Sequence, residues 1–299
     1  MKNNLQSSIS LAWWNTSMSY RDQTNLEEEG RELVFQVINR LINNQIVDII
    51  ALCEVSEGDI SEIKKRCNLF GYEILSACRE VGRTQFDFCI IYKRDSIHIA
   101  NEQYLSTTRN KKTYKIGFRL DFVFKVTGCI FHLFLSHWPS RLQSEASEKR
   151  EYLADRLREY ICDIEDGYQD VGNHPNIILM GDYNDEPFDV SLSKKIMATR
   201  DRNIVLTREE LFFNPFWGEM SESDNSEHIG TYFHRAGDTT KWRTFDQIMY
   251  SHSFVVADSW KIKNIKNRVL ADSDILELVT SNKSKLDHLP IMGVIEKGD

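Results

Sequence analysis

Five short apolar runs each abut a polar residue able to hold a metal ion or a phosphate, and this pattern constrains the chain more than any other feature. Ile9–Trp14 is followed by Asn15, Val47–Cys53 by Glu54, Cys129–Ser136 by His137, and Asn176–Met180 by Gly181-Asp182-Tyr183-Asn184-Asp185-Glu186-Pro187. Near the carboxyl end, Asp287-His288 directly precedes Leu289-Pro290-Ile291-Met292. Runs of this length read as buried strands, and a rigid strand end can aim a side chain into a cleft. Taken singly, an Asn or Glu after a strand is a turn or helix cap. Together, an Asn, a Glu, a D-x-N and a D-H are what a hard divalent cation and a phosphate require: carboxylate and amide oxygens for the one, an imidazole for the other.

The remaining pattern predicts helices over 30–45, 57–67, 145–166 and 190–199, the first with Leu33, Val34, Val37, Ile38, Leu41 and Ile42 on one face. Further strands are predicted over 72–77, 86–92, 97–100, 118–126, 231–233, 244–250, 253–257 and 290–296. The polar stretches 106–115, 218–230 and 261–285 read as surface loops, where ligand contacts often sit. Strand-rich segments with helices in both halves suit one large α+β core with two sheets and outer helices.

With 299 residues, length alone suggests two domains at about 150 residues each. No fixed-period repeat and no Pro/Gly/Ser-rich linker divides the halves, so a single domain over 1–299 is expected. Lys plus Arg number 37 against 45 Asp plus Glu, a net charge of −8. That balance argues against a protein that coats nucleic acid by bulk electrostatics, but not against a local basic groove or a phosphate held through a metal. Cys53, Cys67, Cys78, Cys89, Cys129 and Cys162 form no C-x-x-C pair and read as free thiols of a reducing compartment. Met1–Ser10 lacks a signal-peptide core, and no apolar run approaches the roughly 20 residues that span a bilayer. The expectation is a cytoplasmic protein without membrane insertion.

The ordered set of motifs resembles the endonuclease/exonuclease/phosphatase superfamily, the metal-dependent phosphoesterases that include DNase I, exonuclease III-type enzymes, sphingomyelinases and inositol polyphosphate 5-phosphatases. The resemblance is carried by Trp14-Asn15, Asp48-Ile49-Ile50-Ala51-Leu52-Cys53-Glu54-Val55, His137-Trp138-Pro139-Ser140-Arg141, Gly181–Pro187, Phe245-Asp246-Gln247-Ile248 and Asp287-His288-Leu289-Pro290, from residue 14 to residue 290. It departs from the family pattern at Cys53, Gln247 and Leu286, none of which removes a ligand.

The resemblance implies a four-layer α/β sandwich of the DNase I-like kind, two packed, mainly antiparallel β-sheets flanked by helices, with the site at one end. It implies Glu54 as principal metal ligand, supported by Asn15 and Asp287, with Mg²⁺ as cofactor and Mn²⁺ as a substitute. Asp182 would deprotonate the attacking water and Asn184 would hold that water or a phosphate oxygen. His288 would bind the scissile phosphate with Asp246 fixing its tautomer, and His137 is a candidate general acid. Arg119 stands where related members place a phosphate-binding arginine; an exposed strand charge is the alternative. Asp87 is either a partner of His137 or a solvated strand end, and Arg141 either a site residue or a surface charge. The implied reaction is hydrolysis of phosphodiester bonds in DNA or RNA. The alternative is a phosphatase or phospholipase acting on a small, inositol or lipid phosphate. The basic segment Arg109-Asn110-Lys111-Lys112 with Lys115, and the aromatics Trp138 and Trp242, favour a nucleic-acid substrate.

Overall fold

Apolar runs of this length bury both faces only when they pair edge to edge, and here they assemble into two sheets. In the computed structural model, which describes residues 8–20, 23–141, 146–169, 174–221, 228–256, 259–265 and 268–298, β1 (Ser8–Asn15) leads through a small flap, β2 (Ser19–Tyr20) and β3 (Gln23–Thr24), into α1 (Glu28–Asn43). There follow β4 (Ile49–Cys53), α2 (Glu57–Arg66) and two hairpins, β5 (Tyr72–Val81) with β6 (Thr84–Lys93) and β7 (Ile97–Arg109) with β8 (Lys112–Phe124). Next come β9 (Cys129–His137), α3 (Ala146–Gln169), β10 (Ile177–Asp182), β11 (Ala198–Thr199), α4 (Arg202–Thr207) and β12 (Phe212–Phe213). The last part holds β13 (Tyr232–Phe233), β14 (Trp242–Arg243), β15 (Asp246–Tyr250), α5 (Ser253–Val256), β16 (Trp260–Ile262), α6 (Ser273–Thr280) and β17 (Ile291–Lys297).

One sheet has the order β16-β17-β1-β4-β6-β5 and the other β11-β12-β15-β10-β9-β8-β7. Two parallel pairings decide where chemistry can sit. β1 lies parallel to β4 with Asn15 opposite Cys53, and β9 lies parallel to β10 with His137 opposite Asp182. Parallel neighbours finish at the same end, so the polar residues that follow them converge. β15 is antiparallel to β10 with Asp246 opposite Asp182, and β17 is antiparallel to β1 with Ile291 opposite Trp13. Antiparallel neighbours begin where the others finish, which brings Asp246 and the Asp287-His288 step to that same end.

Between the sheets, Phe86, Phe88, Phe118, Phe122, Phe131 and Trp13 are buried together with Met180 and Ile248. Phe122 and Phe131 stack with ring centroids 5.1 Å apart, and Tyr104 meets both Phe86 and Phe118 edge-on. The six apolar residues predicted for one face of α1 are all buried. α2 is started by a capping box, in which Ser56 Oγ accepts from the Asp59 amide and Asp59 Oδ2 accepts from the Ser56 amide. α3 lays Leu153, Leu157 and Ile161 on Phe134, Ile177 and Leu179 of the second sheet. Two mixed sheets flanked by helices result. No helix of the described residues is long and apolar enough to cross a membrane, and all six cysteines are free, three of them buried.

Four local expectations are corrected. Residues 106–115 form the end of a hairpin, not a loop: Thr108 pairs with Thr113 and Arg109 with Lys112 across a turn in which Asn110 and Lys111 have φ of 53° and 63°. Its polar side chains mislead because an exposed hairpin arm needs no apolar alternation. The strand expected over 253–257 is the short helix α5, started by the Ser251 carbonyl accepting from the Phe254 amide; residue 257 lies outside the described set. The helix over 190–199 shortens to a π-turn at Ser191–Ile196 followed by β11, and the loop over 261–285 contains the rest of β16 and all of α6.

Gly181, opposite Ser136 in the β9–β10 pair, is the tightest point of the site end: a Cβ there would lie 2.2 Å from the Ser136 carbonyl oxygen. Backbone cannot yield as a side chain can. Gly181→Ala is therefore expected to destabilise the protein by about 1–3 kcal/mol, read as a lower urea midpoint, and an unchanged midpoint would show that the two strands are not held that close.

Candidate active site

The converging strand ends open into a cleft of about 750 Å³. Asn15, Glu54, His137, Asp182, Asn184, Asp287 and His288 all line it, and Asp246 lies buried directly behind His288.

Glu54 follows β4 with φ 55°, a left-handed backbone rarely adopted by a non-glycine residue. The turn is held because the Glu54 carbonyl accepts from the Ser19 amide at 2.8 Å and the Cys53 carbonyl from Thr16 Oγ1 at 2.9 Å. Its carboxylate accepts from Asn15 Nδ2 at 3.2 Å and lies 3.5 Å from His137 Nε2. Burial raises the Glu54 pKa, against the pull of His137. Asp287 is likewise raised by burial, although Ser17 Oγ donates to it at 3.2 Å.

Asp182 is fixed from three sides. Its Oδ1 accepts from the Asn184 amide at 2.9 Å, while its Oδ2 accepts from Asn15 Nδ2 at 3.1 Å and Asn184 Nδ2 at 3.2 Å. Asn184, itself at φ 52°, is anchored through a second bond from Nδ2 to the Trp138 carbonyl. Arg141 stacks over Phe245, donates to the Asn184 carbonyl at 2.9 Å and pairs with Asp185 and Asp189. It supports the turn and does not line the cleft.

Two histidines face one another across this floor. His288 Nδ1 meets Asp246 Oδ2 at 2.7 Å, and its Nε2 lies 3.7 Å from Asp182 and 3.9 Å from Asp287. Burial pulls the His288 pKa down, but the charges of Asp246 and Asp182 outweigh it and raise it to about 10. The ring is therefore an imidazolium whose Nδ1 donates to Asp246 and whose Nε2–H is directed at no hydrogen-bond acceptor among the described residues. Two indoles of β1 pin the pair: Trp13 Nε1 donates to Asp246 Oδ1 and Trp14 Nε1 to the His288 carbonyl, both at 2.9 Å. Tyr232 packs on the His288 ring with centroids 4.7 Å apart. His137 Nδ1 lies 3.0 Å from Asp87 Oδ2, so Asp87 orients the ring and is no solvated strand end. Burial opposes ionisation of Asp87, yet Lys115 and His137 hold its carboxyl well below the usual range.

The structure does not bring Arg119 to the cleft. Its guanidinium grips Asp121 with Nε and Nη2, each at 2.8 Å, and His132 Nδ1 meets the same carboxylate at 2.7 Å. The cation that arrives instead is Lys115, paired with Asp87, 3.5 Å from His137 Nδ1 and 4.9 Å from the centre of Phe88. A β-bulge explains the exchange. Leu105 pairs with Gly117 but Ser106 pairs with Lys115, leaving Ile116 unpaired. The extra residue reverses the inside–outside phase of β8. Lys115 consequently points to the cleft side, as Phe118 does to the core, and Arg119 to the other face. Trp138 Nε1 donates to the Ile116 carbonyl at 2.9 Å. Gly117 was the one cue in the sequence. Tyr232 gave none, since its strand reads as ordinary core.

The donors suited to a hard divalent cation are the oxygens of Glu54, Asp287 and Asn15. They fit such an ion because burial drives Glu54 and Asp287 toward neutrality and nearby positive charge would keep them ionised. Asp182, Asp246 and His288 also lie within 4.8 Å of one another. Within that trio only the His288–Asp246 contact is a hydrogen bond, and Asp182 stands 3.7 Å from the ring.

These paired sheets define a DNase I-like architecture. The chain belongs to the Endonuclease/Exonuclease/phosphatase family, whose sequence profile matches residues 13–291. Members of that family are phosphoester hydrolases and generally depend on divalent metal. Among solved structures, the chain is similar to the human Nocturnin catalytic domain with bound sulfate (14% identity, TM-score 0.60, 97% of this chain and 94% of the other covered). It is similar to D. rerio TDP2 complexed with a single-strand DNA product (14%, 0.59, 97% and 99%) and to mannosyl-6-phosphatase of Bacteroides thetaiotaomicron (15%, 0.62, 97% and 100%). At such identity the likeness is one of fold. No curated protein matches the chain in sequence.

The Arg119–Asp121–His132 cluster has a checkable consequence. Burial opposes ionisation of Asp121, but His132 and Arg119 outweigh it and lower its pKa to about 2. A depressed carboxylate stabilises the fold above its unfolded value near 3.9, and that stability is lost as pH falls toward 2. Asp121→Asn is expected to cost about 2 kcal/mol at pH 7 in urea unfolding, with the gap from wild type closing below pH 4; a gap independent of pH would refute the charge-based account.

Proposed function

We propose that this protein is one domain that hydrolyses phosphodiester bonds in nucleic acid with Mg²⁺ held by Glu54, Asp287 and Asn15. The observation that carries the substrate class is the division of the cleft into an acidic floor and a basic wall. Arg83, Lys111, Lys112, Lys115, Lys149 and Lys285 are among the residues that line the cleft. Arg83, Lys111 and Lys112 sit at the tips of two hairpins from different sheets, tied where Thr84 Oγ1 donates to the Thr113 carbonyl at 2.8 Å, and Lys149 comes from α3. A floor alone suits any phosphate ester. A row of cations leading away from it suits a polymer carrying one phosphate per residue.

In this reading Glu54, Asp287 and Asn15 would hold the cation, which when bound would offset negative charge on the scissile phosphate. Asp182, its lone pairs aimed by Asn15 and Asn184, accepts the proton of the attacking water. His288 donates Nε2–H to a phosphate oxygen, and Asp246 keeps the ring charged and oriented as negative charge builds. His137, steadied through Nδ1 by Asp87, gives a proton to the leaving oxygen. Lys115 stabilises the carboxylate behind it.

The test supplies Mg²⁺ and offers plasmid, single-stranded DNA, RNA, phosphoinositides and sphingomyelin in parallel. Nucleic-acid cleavage is expected, and Glu54→Ala, Asp182→Ala and His288→Ala are each expected to lower it by about 10²–10⁴-fold with the fold intact. Release of phosphate from lipids or inositol phosphates with nucleic acids untouched would overturn the substrate assignment. The double variant Lys111→Glu/Lys112→Glu is expected to raise KM for the polymer and to flatten its dependence on salt, while hydrolysis of a small aryl phosphodiester stays at the wild-type rate. Equal losses on both substrates would mean the wall serves the floor and not the polymer.

A further inference from the structure

At the opposite end of the second sheet, three metal-ligating side chains from distant parts of the chain meet: His174 before β10, Glu209 after α4 and His252 after β15. One ligand atom of each lies within 4.8 Å of the other two. β10 runs six residues from Ile177 to Asp182, so this cluster stands at least about 16 Å from the catalytic floor.

We propose that His174, Glu209 and His252 form a binding site for a borderline transition-metal dication of the zinc type, separate from the all-oxygen catalytic site. Two imidazoles and a carboxylate are a zinc ligand set, whereas Mg²⁺ prefers oxygen alone. His252 is prepared as a ligand. It is buried, and its Nδ1 lies 2.6 Å from the Val205 carbonyl oxygen. A carbonyl can only accept, so Nδ1 carries the proton and the free lone pair falls on Nε2. This is the outer-shell bond that fixes the tautomer of metal-bound histidines.

The other two residues are exposed and free to adjust. His174 Nε2 lies 3.8 Å from Glu209 Oε1, too far for a hydrogen bond, and the His174 and His252 rings meet edge-to-face at 4.7 Å. The groups thus converge without satisfying one another. Ligands of one zinc ion sit about 3.3 Å apart, from bonds of roughly 2.0–2.2 Å in a tetrahedron. Small rotations of the exposed pair would reach it. Three protein ligands leave a fourth position for water or an outside ligand. The frame is rigid where it matters: Ser251 Oγ and Ser253 Oγ both donate to the Pro175 carbonyl, at 3.0 and 3.1 Å, tying the two histidine segments together.

The experiment titrates chelator-treated full-length protein with Zn²⁺ in saturating Mg²⁺, which occupies the oxygen site, and reads stoichiometry by calorimetry and melting temperature in parallel. One equivalent of zinc is expected to bind and to raise the melting temperature. His174→Ala and Glu209→Gln alter exposed side chains and preserve the fold; each is expected to weaken zinc at least tenfold and to abolish the thermal shift. Cobalt is expected to give the visible spectrum of a four-coordinate site in wild type and not in either variant. Absence of zinc binding by the wild type, or wild-type affinity in both variants, overturns the proposal, and neither result bears on the phosphodiesterase assignment.

Discussion

Glu54, Asp87, Asp182, Asp246 and Asp287 share one end of the sandwich, and the placing of almost every polar group around them answers the need to compensate that charge. Desolvating carboxylates is costly, and each has its own remedy. Asp246 is balanced by the His288 imidazolium and the Trp13 indole. Asp87 is balanced by Lys115 and His137. Asp182 takes its hydrogen bonds from amide donors, which hold its geometry, and the His288 imidazolium stands 3.7 Å away. Glu54 and Asp287 remain raised by burial in spite of His137 beside the one and His288 and Arg235 beside the other.

The architecture places those residues together by strand direction more than by individual side-chain contacts. A parallel pair in each sheet finishes at the cleft, and an antiparallel neighbour in each sheet begins there. Much of this was legible in the sequence, because an apolar run ending on Asn15, Glu54, His137 or Asp182 marks both the strand and its functional end. Asp287 and His288 were legible in the same way from the start of β17. What stayed hidden depended on phase and partner. Arg119 and Lys115 are four residues apart on one strand, and only the unpaired Ile116 decides which of them faces the cleft. Asp87 stayed divided between a partner of His137 and a solvated strand end because nothing local announces a histidine fifty residues downstream. Residues 106–115 read as a loop because polarity at a hairpin tip is indistinguishable from polarity in a turn.

The net charge of −8 acquires a spatial meaning. Anionic groups are gathered beneath the cleft, while Arg83, Lys111, Lys112, Lys115 and Lys149 are among the residues that line it. On the proposed reading, such opposite fields would guide a polyanion toward the cleft and repel it from the floor until a cation is bound there. Overall composition averages these fields away, which is why a negatively charged chain is compatible with a phosphate-rich substrate.

The Ile116 bulge carries a consequence for how such a site can diversify. Since one unpaired residue sets the phase of the β8 arm leading into the hairpin, gaining or losing a single codon there would exchange the whole row of side chains presented to the cleft for the row presented to α3. Substrate preference could then be rewritten by strand length, with Glu54, Asp182 and His288 untouched. The tether from Trp138 Nε1 to the Ile116 carbonyl works against that drift, and it ties change in the wall to a tryptophan next to His137.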